Sequence, residues 1–164
     1  MRWLLAAVVA VMLGAFVYLQ RHSTKTTYVN GLAPYTKLPN REFVLEKDCY
    51  IFKLKAEDTS WPLIGAHETV AALPEDVAPA HVGEDLPGAR ILDVLHVGDH
   101  FRIVSVRRDE SRAKTTVTFE VLLADENTRK FPRLDAFWIM DHAPEKDGQA
   151  PGILPAYAVM MGRE

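Results

Sequence analysis

Hydrophobic and polar residues alternate most clearly in the second half of the chain. RILDVLHV, HFRIVSVRR, KTTVTFEVLLA and DAFWIM follow one another from Arg90 to Met140, separated by GD, DESRA and DENTRKFPRL. In the third run Val117, Phe119, Val121 and Leu123 point one way, while Thr116, Thr118 and Glu120 point the other. A period of two with one apolar face predicts an antiparallel strand whose outer face meets water. An earlier run, EFVLEKDCYIFKLK, predicts another strand, with Tyr50, Phe52 and Leu54 on one face and Ile51, Lys53 and Lys55 on the other.

Between these regions residues 56–89 carry four prolines and three glycines, which interrupt every element. They predict a long loop insertion, partly packed through Trp61, Leu63 and Ile64, with HETVAAL giving at most one or two helical turns before Pro74. The C-terminal residues 143–164 hold three prolines and a detached apolar run, ILPAYAVMM, expected to pack back on the domain and suited to an edge strand.

The N-terminus breaks the alternation. Trp3 to Leu19 contains no charged residue, and as a helix it would be about 25 Å long, close to a bilayer core of roughly 30 Å. Trp3 and Tyr18 stand at its ends, where amphipathic rings favour the interface. A cleavable signal would carry a small-x-small site, and Leu13-Gly14-Ala15 is a poor one. One uncleaved transmembrane helix is therefore expected in residues 1–22, followed by a tether over 23–40 and a β domain over 41–142. Counting positive residues alone would place the C-terminal side in the cytoplasm, because Arg21 and Lys25 follow the block and only Arg2 precedes it. A stub this short resembles a bacterial signal-anchor, so the expected site is the inner membrane, single-pass, with the domain in the periplasm.

Charge narrows the partners. Residues 1–25 hold three of the 19 basic residues (Arg2, Arg21, Lys25) and no acidic ones. The remainder thus has 16 basic against 22 acidic residues, a formal charge of −6. Nucleic acid is not expected as a partner, since phosphate contacts need lysine and arginine. Attachment to the membrane must rest on the apolar block.

Chemistry-bearing motifs are sparse. HVGDH, residues 96–100, places two histidines beside a carboxylate, but Gly98-Asp99 predicts a two-residue type II′ hairpin loop. In that register His96 and His100 point to opposite faces, so no metal site is expected there. Cys49 stands alone and predicts a buried thiol. No phosphate-binding glycine loop, nucleophile elbow or zinc-type cysteine spacing occurs, and no catalytic residues, metal or cofactor are expected. An enzyme would need Cys49, Asp141 and His142 to converge in three dimensions. The mixed-sign run RRDESRAK, Arg107 to Lys114, predicts a solvated hairpin tip and could also serve as a docking surface.

The early strand, the long loop, "VGDHFRIVSV", the hairpin around "RRDESRAK" and the closing "RLDAFWIM" together resemble an SH3-like barrel of the bacterial (SH3b) type over residues 41–142. The fold expected is mainly β, a small SH3-like antiparallel barrel or sandwich with a long loop insertion, preceded by the transmembrane helix. The resemblance implies a ligand- or partner-binding module. The acidic-aromatic opening of the signalling SH3 groove is missing, so no binding residues carry over from that family. From the sequence itself, Tyr35, Trp61 and Trp138 are the candidate contacts for a protein partner or cell-wall glycan. An alternative is a structural subunit that assembles through the anchor helix, where Gly14 with Ala10 and Ala15 permits close packing.

Overall fold

The computed structural model describes residues 24–55, 61–111, 114–124, 130–141 and 150–162, together with Met12. The apolar block Trp3–Leu19, Gly14 included, and His142 lie outside the described residues, save Met12. No helix among the described residues is long and apolar enough to cross a membrane.

The chain is mainly β. Its strands are β1 (Lys25–Tyr28), β2 (Glu42–Leu45), β3 (Cys49–Leu54), β4 (Leu63–Gly65), β5 (Ala89–Leu95), β6 (His100–Glu110), β7 (Thr115–Leu123), β8 (Leu134–Asp135) and β9 (Ala158–Met160). They form one sheet in the order β5-β3-β4-β8-β7-β6-β2-β9, with β1 pairing a second stretch of β6. The expected antiparallel barrel is corrected on two points: β4 and β8 run parallel, through Leu63 and Asp135, and the sheet does not close. Closure would require β5 to pair with β9, whereas β5 pairs only with β3 and β9 only with β2.

One face of the sheet supplies the main core. Phe43, Leu45, Ile51, Ile64, Leu95, Phe101, Ile103, Phe119, Val121, Leu134 and Ala158 reach it from eight strands. Ile153 and Tyr157 join them, and the edge strand β9 pairs with β2, so residues 150–162 pack back on the domain. The opposite face is treated in two ways. Over β5-β3-β4 it is covered by the long excursion, whose Val70, Leu73, Val77 and Leu86 close a second core on Tyr50, Phe52, Leu63 and Ile91. Over β1-β6-β7-β8 it is polar.

Strand β3 therefore feeds both cores. Cys49 and Ile51 enter the main one, Tyr50 and Phe52 the second, and only from Lys53 does the strand reach solvent. The expected single apolar face of this strand gives way to two because the excursion is a lid with its own apolar side. Tyr50 ties it down, donating to the Asp76 carbonyl at 2.7 Å and accepting from the Ala78 amide at 3.1 Å. HETVAAL makes hydrogen-bonded turns rather than a helix, with the Val70 amide on the Ala66 carbonyl and the Leu73 amide on the Val70 carbonyl. At Gly65 a Cβ would lie 3.2 Å from Phe52 and from the Trp138 Cβ, a tight fit in which these neighbours would have to give by a few tenths of an ångström.

Two further expectations are corrected. Residues 24–40 are folded rather than a tether: β1 pairs with β6, and a 3₁₀ turn at Tyr35–Lys37 buries the Tyr35 ring in the main core. HVGDH is a turn but not a hairpin loop, since β5 pairs with β3 and β6 with β2 and β7. The Asp99 amide donates to the His96 carbonyl at 2.9 Å, and Gly98 at φ +93° occupies the third position, as a type II turn requires. Asp99 and Asp48 brace the turn by accepting from the His96 and Val97 amides.

Because β3 is shared, truncation on either side should be costly. Ile51→Ala is expected to lose about 2–5 kcal/mol and Phe52→Ala about 3–5 kcal/mol, while Lys53→Ala stays within about 0.5 kcal/mol. Urea denaturation checks this, and a silent Ile51→Ala or Phe52→Ala would contradict a strand buried on both faces.

Candidate functional site

The polar outer face holds the densest chemistry among the described residues, and it originates in a β-bulge. Ile103 pairs with Val121, but the next pair toward the hairpin tip is Ser105 with Glu120. Val104 is the extra residue, and it shifts the alternation by one. Phe101 and Ile103 enter the core before the bulge and Val106 after it, which turns Ser105, Arg107 and Asp109 outward. Without the shift Arg107 would enter the apolar core. Asn30 secures the irregularity by accepting from the Val106 amide at 2.6 Å, while the Val29 amide donates to the Val106 carbonyl at 3.0 Å.

Opposite these residues β7 presents Thr118 and Glu120, and β8 presents Asp135. The expectation that Thr118 and Glu120 meet water is corrected: both are buried, Glu120 with 0% of its surface exposed. The Glu120 carboxylate is enclosed by its own partners. Tyr28 Oη donates to Oε1 at 3.1 Å, Ser105 Oγ and Arg133 Nη1 donate to Oε2, the latter at 3.0 Å, and Arg107 Nη1 lies 3.8 Å from Oε1. Asp135 accepts from Thr118 Oγ1, from the Phe137 amide at 2.9 Å and from Arg107 Nη2 at 3.1 Å. Arg107 Nε also bonds Asp109 at 2.9 Å, and Thr26 donates to the other oxygen of Asp109 at 2.7 Å.

Two guanidinium groups thus face three carboxylates. Burial raises the Asp135 carboxyl above its ordinary range, against the lowering effect of Thr118, the Phe137 amide and Arg107. Burial also opposes the charge on Arg107, but Asp135, Asp109 and Glu120 more than offset it and hold the guanidinium protonated. The Tyr28 hydroxyl is raised by desolvation and by the Glu120 charge, which does not suit it to act as a nucleophile. Each oxygen of Glu120 and Asp135 already accepts a donor, so the cluster works as a clamp. What it fixes is the surface above it: Tyr28, 55% exposed, and Arg133, whose guanidinium lies 5.8 Å from the centre of the Trp61 ring.

The three predicted contact aromatics separate here. Trp61 and Trp138 both flank the seam where β4 meets β8, Trp61 beside Arg133 and Trp138 half-buried against the second core. Tyr35 is corrected to a core residue: it is fully enclosed, its ring under Arg108, and its hydroxyl has no hydrogen-bond partner among the described residues. Tyr28, Arg133, Glu120 and Asp135 did not stand out as candidates in the sequence, and Arg107 did so only as part of the RRDESRAK run. The available signal was the cross-strand match of Ser105, Arg107 and Asp109 with Glu120, Thr118 and Thr116.

The enzyme alternative gains no geometry. Cys49 is buried in the main core, its thiol directed to the Lys47 carbonyl at 3.5 Å, and burial pushes its pKa up to about 12. Asp141 is exposed, and His142 lies outside the described residues. His96 and His100 are both exposed, and among the described residues no three His, Cys, Asp or Glu side chains gather where they could hold a metal ion. Comparison with protein-family models, with characterised proteins and with solved structures gave no match.

Three outcomes are expected, two at the cluster and one at Cys49. Glu120→Ala should cost about 1–3 kcal/mol, the penalty for stranded donors, because Arg133 can still turn to water. The raised Asp135 pKa sets a sign: between the unfolded value near 4 and its higher folded value, the folded state holds a proton that the unfolded chain has lost. The Asp135 contribution to stability is therefore full below that window and declines as pH rises through it. The stability difference between the protein and Asp135→Asn, followed by urea denaturation against pH, should show that slope; a flat difference would refute it. Native Cys49 should resist alkylation at pH 8 and react once urea unfolds the chain.

Proposed function

We propose that this protein is a membrane-anchored binding or scaffold module of the bacterial cell envelope. In this reading Trp3 to Leu19 is a single-pass inner-membrane anchor, and the β domain, on the periplasmic side, contacts a protein partner or cell-wall glycan. The observation that carries the reading is the seam beside the buried network. Glu120 holds Arg133 against Trp61 and meets the exposed Tyr28, so aromatic and guanidinium planes stand fixed at the surface. Rigid aromatic and arginine surfaces of this kind lose little entropy when a partner covers them. The saturated carboxylates favour gripping over turnover, since neither has an oxygen without a donor. The pattern-level resemblance to bacterial SH3-like modules points the same way, with an open sheet in place of the closed barrel.

Full-length protein is expected to remain in membranes washed with alkaline carbonate. After detergent solubilisation it should either co-purify with a defined envelope protein or sediment with isolated cell wall. Trp61→Ala and Tyr28→Ala should each weaken that association by about tenfold, the equivalent of about 1.4 kcal/mol, without unfolding the domain. Release by carbonate, or absence of both associations, would overturn the reading.

A further inference from the structure

The sheet has edges at β5, β1 and β9, and they are treated differently. The free side of β5 is closed by the excursion. The Ile91 amide donates to the Glu84 carbonyl at 3.0 Å, the Ile91 carbonyl accepts from the Gly83 amide at 3.1 Å, and Asp85 bridges Arg90. Strand β1 is exposed along its length but carries Lys25, Thr26 and Thr27, a polar edge headed by the residue that most often discourages further pairing. Strand β9 has neither protection. Val159, Met160 and Met161 are 39%, 53% and 40% exposed, and Ala158–Gly162 contains no charge and no proline.

Pairing with β2 fixes which backbone groups are left over. The Met161 amide donates to the Glu42 carbonyl at 2.9 Å, and the Glu46 amide to the Tyr157 carbonyl at 2.8 Å. These groups alternate along an antiparallel ladder, so Val159 also faces β2, while Ala158, Met160 and Gly162 face off the edge. The Ala158 amide is already taken by the Leu154 carbonyl at 3.2 Å. Among the described residues this leaves two acceptors, the carbonyls of Ala158 and Met160, and two donors, the amides of Met160 and Gly162.

That set is its own complement. With a second β9 antiparallel and Met160 opposite Met160, the two methionines exchange both bonds, and each Gly162 amide meets the other copy's Ala158 carbonyl. A register centred on Val159 instead points each Met160 carbonyl at an Ala158 amide that is already bonded. The side chains match as well. Met160 stands opposite Phe43 at the rim of the main core, so the two methionines extend that core, and Val159 meets Met161 on the other face. No charge faces a like charge.

We propose that β9 is the interface for a second copy of this chain, joined edge to edge about a two-fold axis at Met160 so that two sheets become one. Five residues a side is far below the roughly 20–30 of a stable interface, so the pairing is weak and reversible. Strands β7, β6 and β2 separate it from the β4–β8 seam, so the pair presents Trp61 and Arg133 twice.

The test traps the contact in full-length protein in mild detergent, oxidised with copper phenanthroline. In the proposed register the Cα atoms of the two Met160 residues lie about 5.5 Å apart, within the roughly 4.4–6.8 Å that a disulfide spans. The two Val159 residues, two steps apart across one strand spacing, are roughly 8 Å apart and out of reach. Met160→Cys should therefore form about tenfold more covalent dimer than Val159→Cys, or than Thr27→Cys on the exposed β1 edge. Native Cys49 is buried and does not compete. In sedimentation, Met160→Lys should weaken any dimer about tenfold by setting like charges face to face. Equal trapping at residues 160 and 159, or at 160 and 27, overturns the proposal, as a dimer joined through the apolar N-terminal block would show. So does a chain that is not trapped at all, or a dimer indifferent to Met160→Lys.

Discussion

The β6–β7 ladder with its single bulge is the constraint on which the rest of the structure depends. An extended strand offers alternate residues to alternate faces, and β6 needs Phe101, Ile103 and Val106 on the same side. Those positions are incompatible with a strict period of two. Val104 absorbs the extra residue, and from that point Ser105, Arg107 and Asp109 share the outer face. Everything on that face follows: the enclosure of Glu120, the reach of Arg107 to Asp135, and the pairing of β1 along the outer half of β6.

The same device recurs across the sheet. Strand β5 meets β3 with a register shift at Leu92, so Ile91 and Val94 serve the second core while Leu92 and Leu95 serve the first. One sheet thereby buries both faces in two chemistries, apolar beneath the excursion and ionic beside it. The parallel contact of β4 with β8 joins the two regions, and Trp61 and Trp138 stand at that join because they flank those two short strands.

The β character was legible in the sequence wherever strands were long and one-faced: β7 follows its apolar alternation, β6 follows it as far as Ile103, where the bulge shifts it, and the turn at Gly98 follows its chemistry. Three features were not legible, each for a physical reason. Pairing partners are set by contacts distant in sequence, so the adjacent runs ending at Leu95 and beginning at His100 read as a hairpin although they never pair. Strand β8 is two residues long, too short for any periodicity, yet it carries Asp135 into the network. Alternating Thr and Glu on β7 looks the same whether it meets water or a layer of arginine, and only Arg133 and β1, from far along the chain, decide which. The stretch before Glu42 read as a tether because Pro34, Pro39 and Gly31 exclude a long helix, but turns with prolines can still bury a tyrosine.

A buried ionic cluster is a weak source of stability, since removing charges from water costs nearly as much as their mutual attraction returns, and apolar replacements are often equally stable. Its effect here is on the choice between arrangements. A slip of β6 by one residue would drive Arg107 into the core and take Ser105 and Arg107 away from the buried Glu120, two penalties that an apolar outer face would not impose. The charges therefore define the register that the bulge permits. They also leave a face with fixed guanidinium and aromatic surfaces where an apolar one would associate indiscriminately.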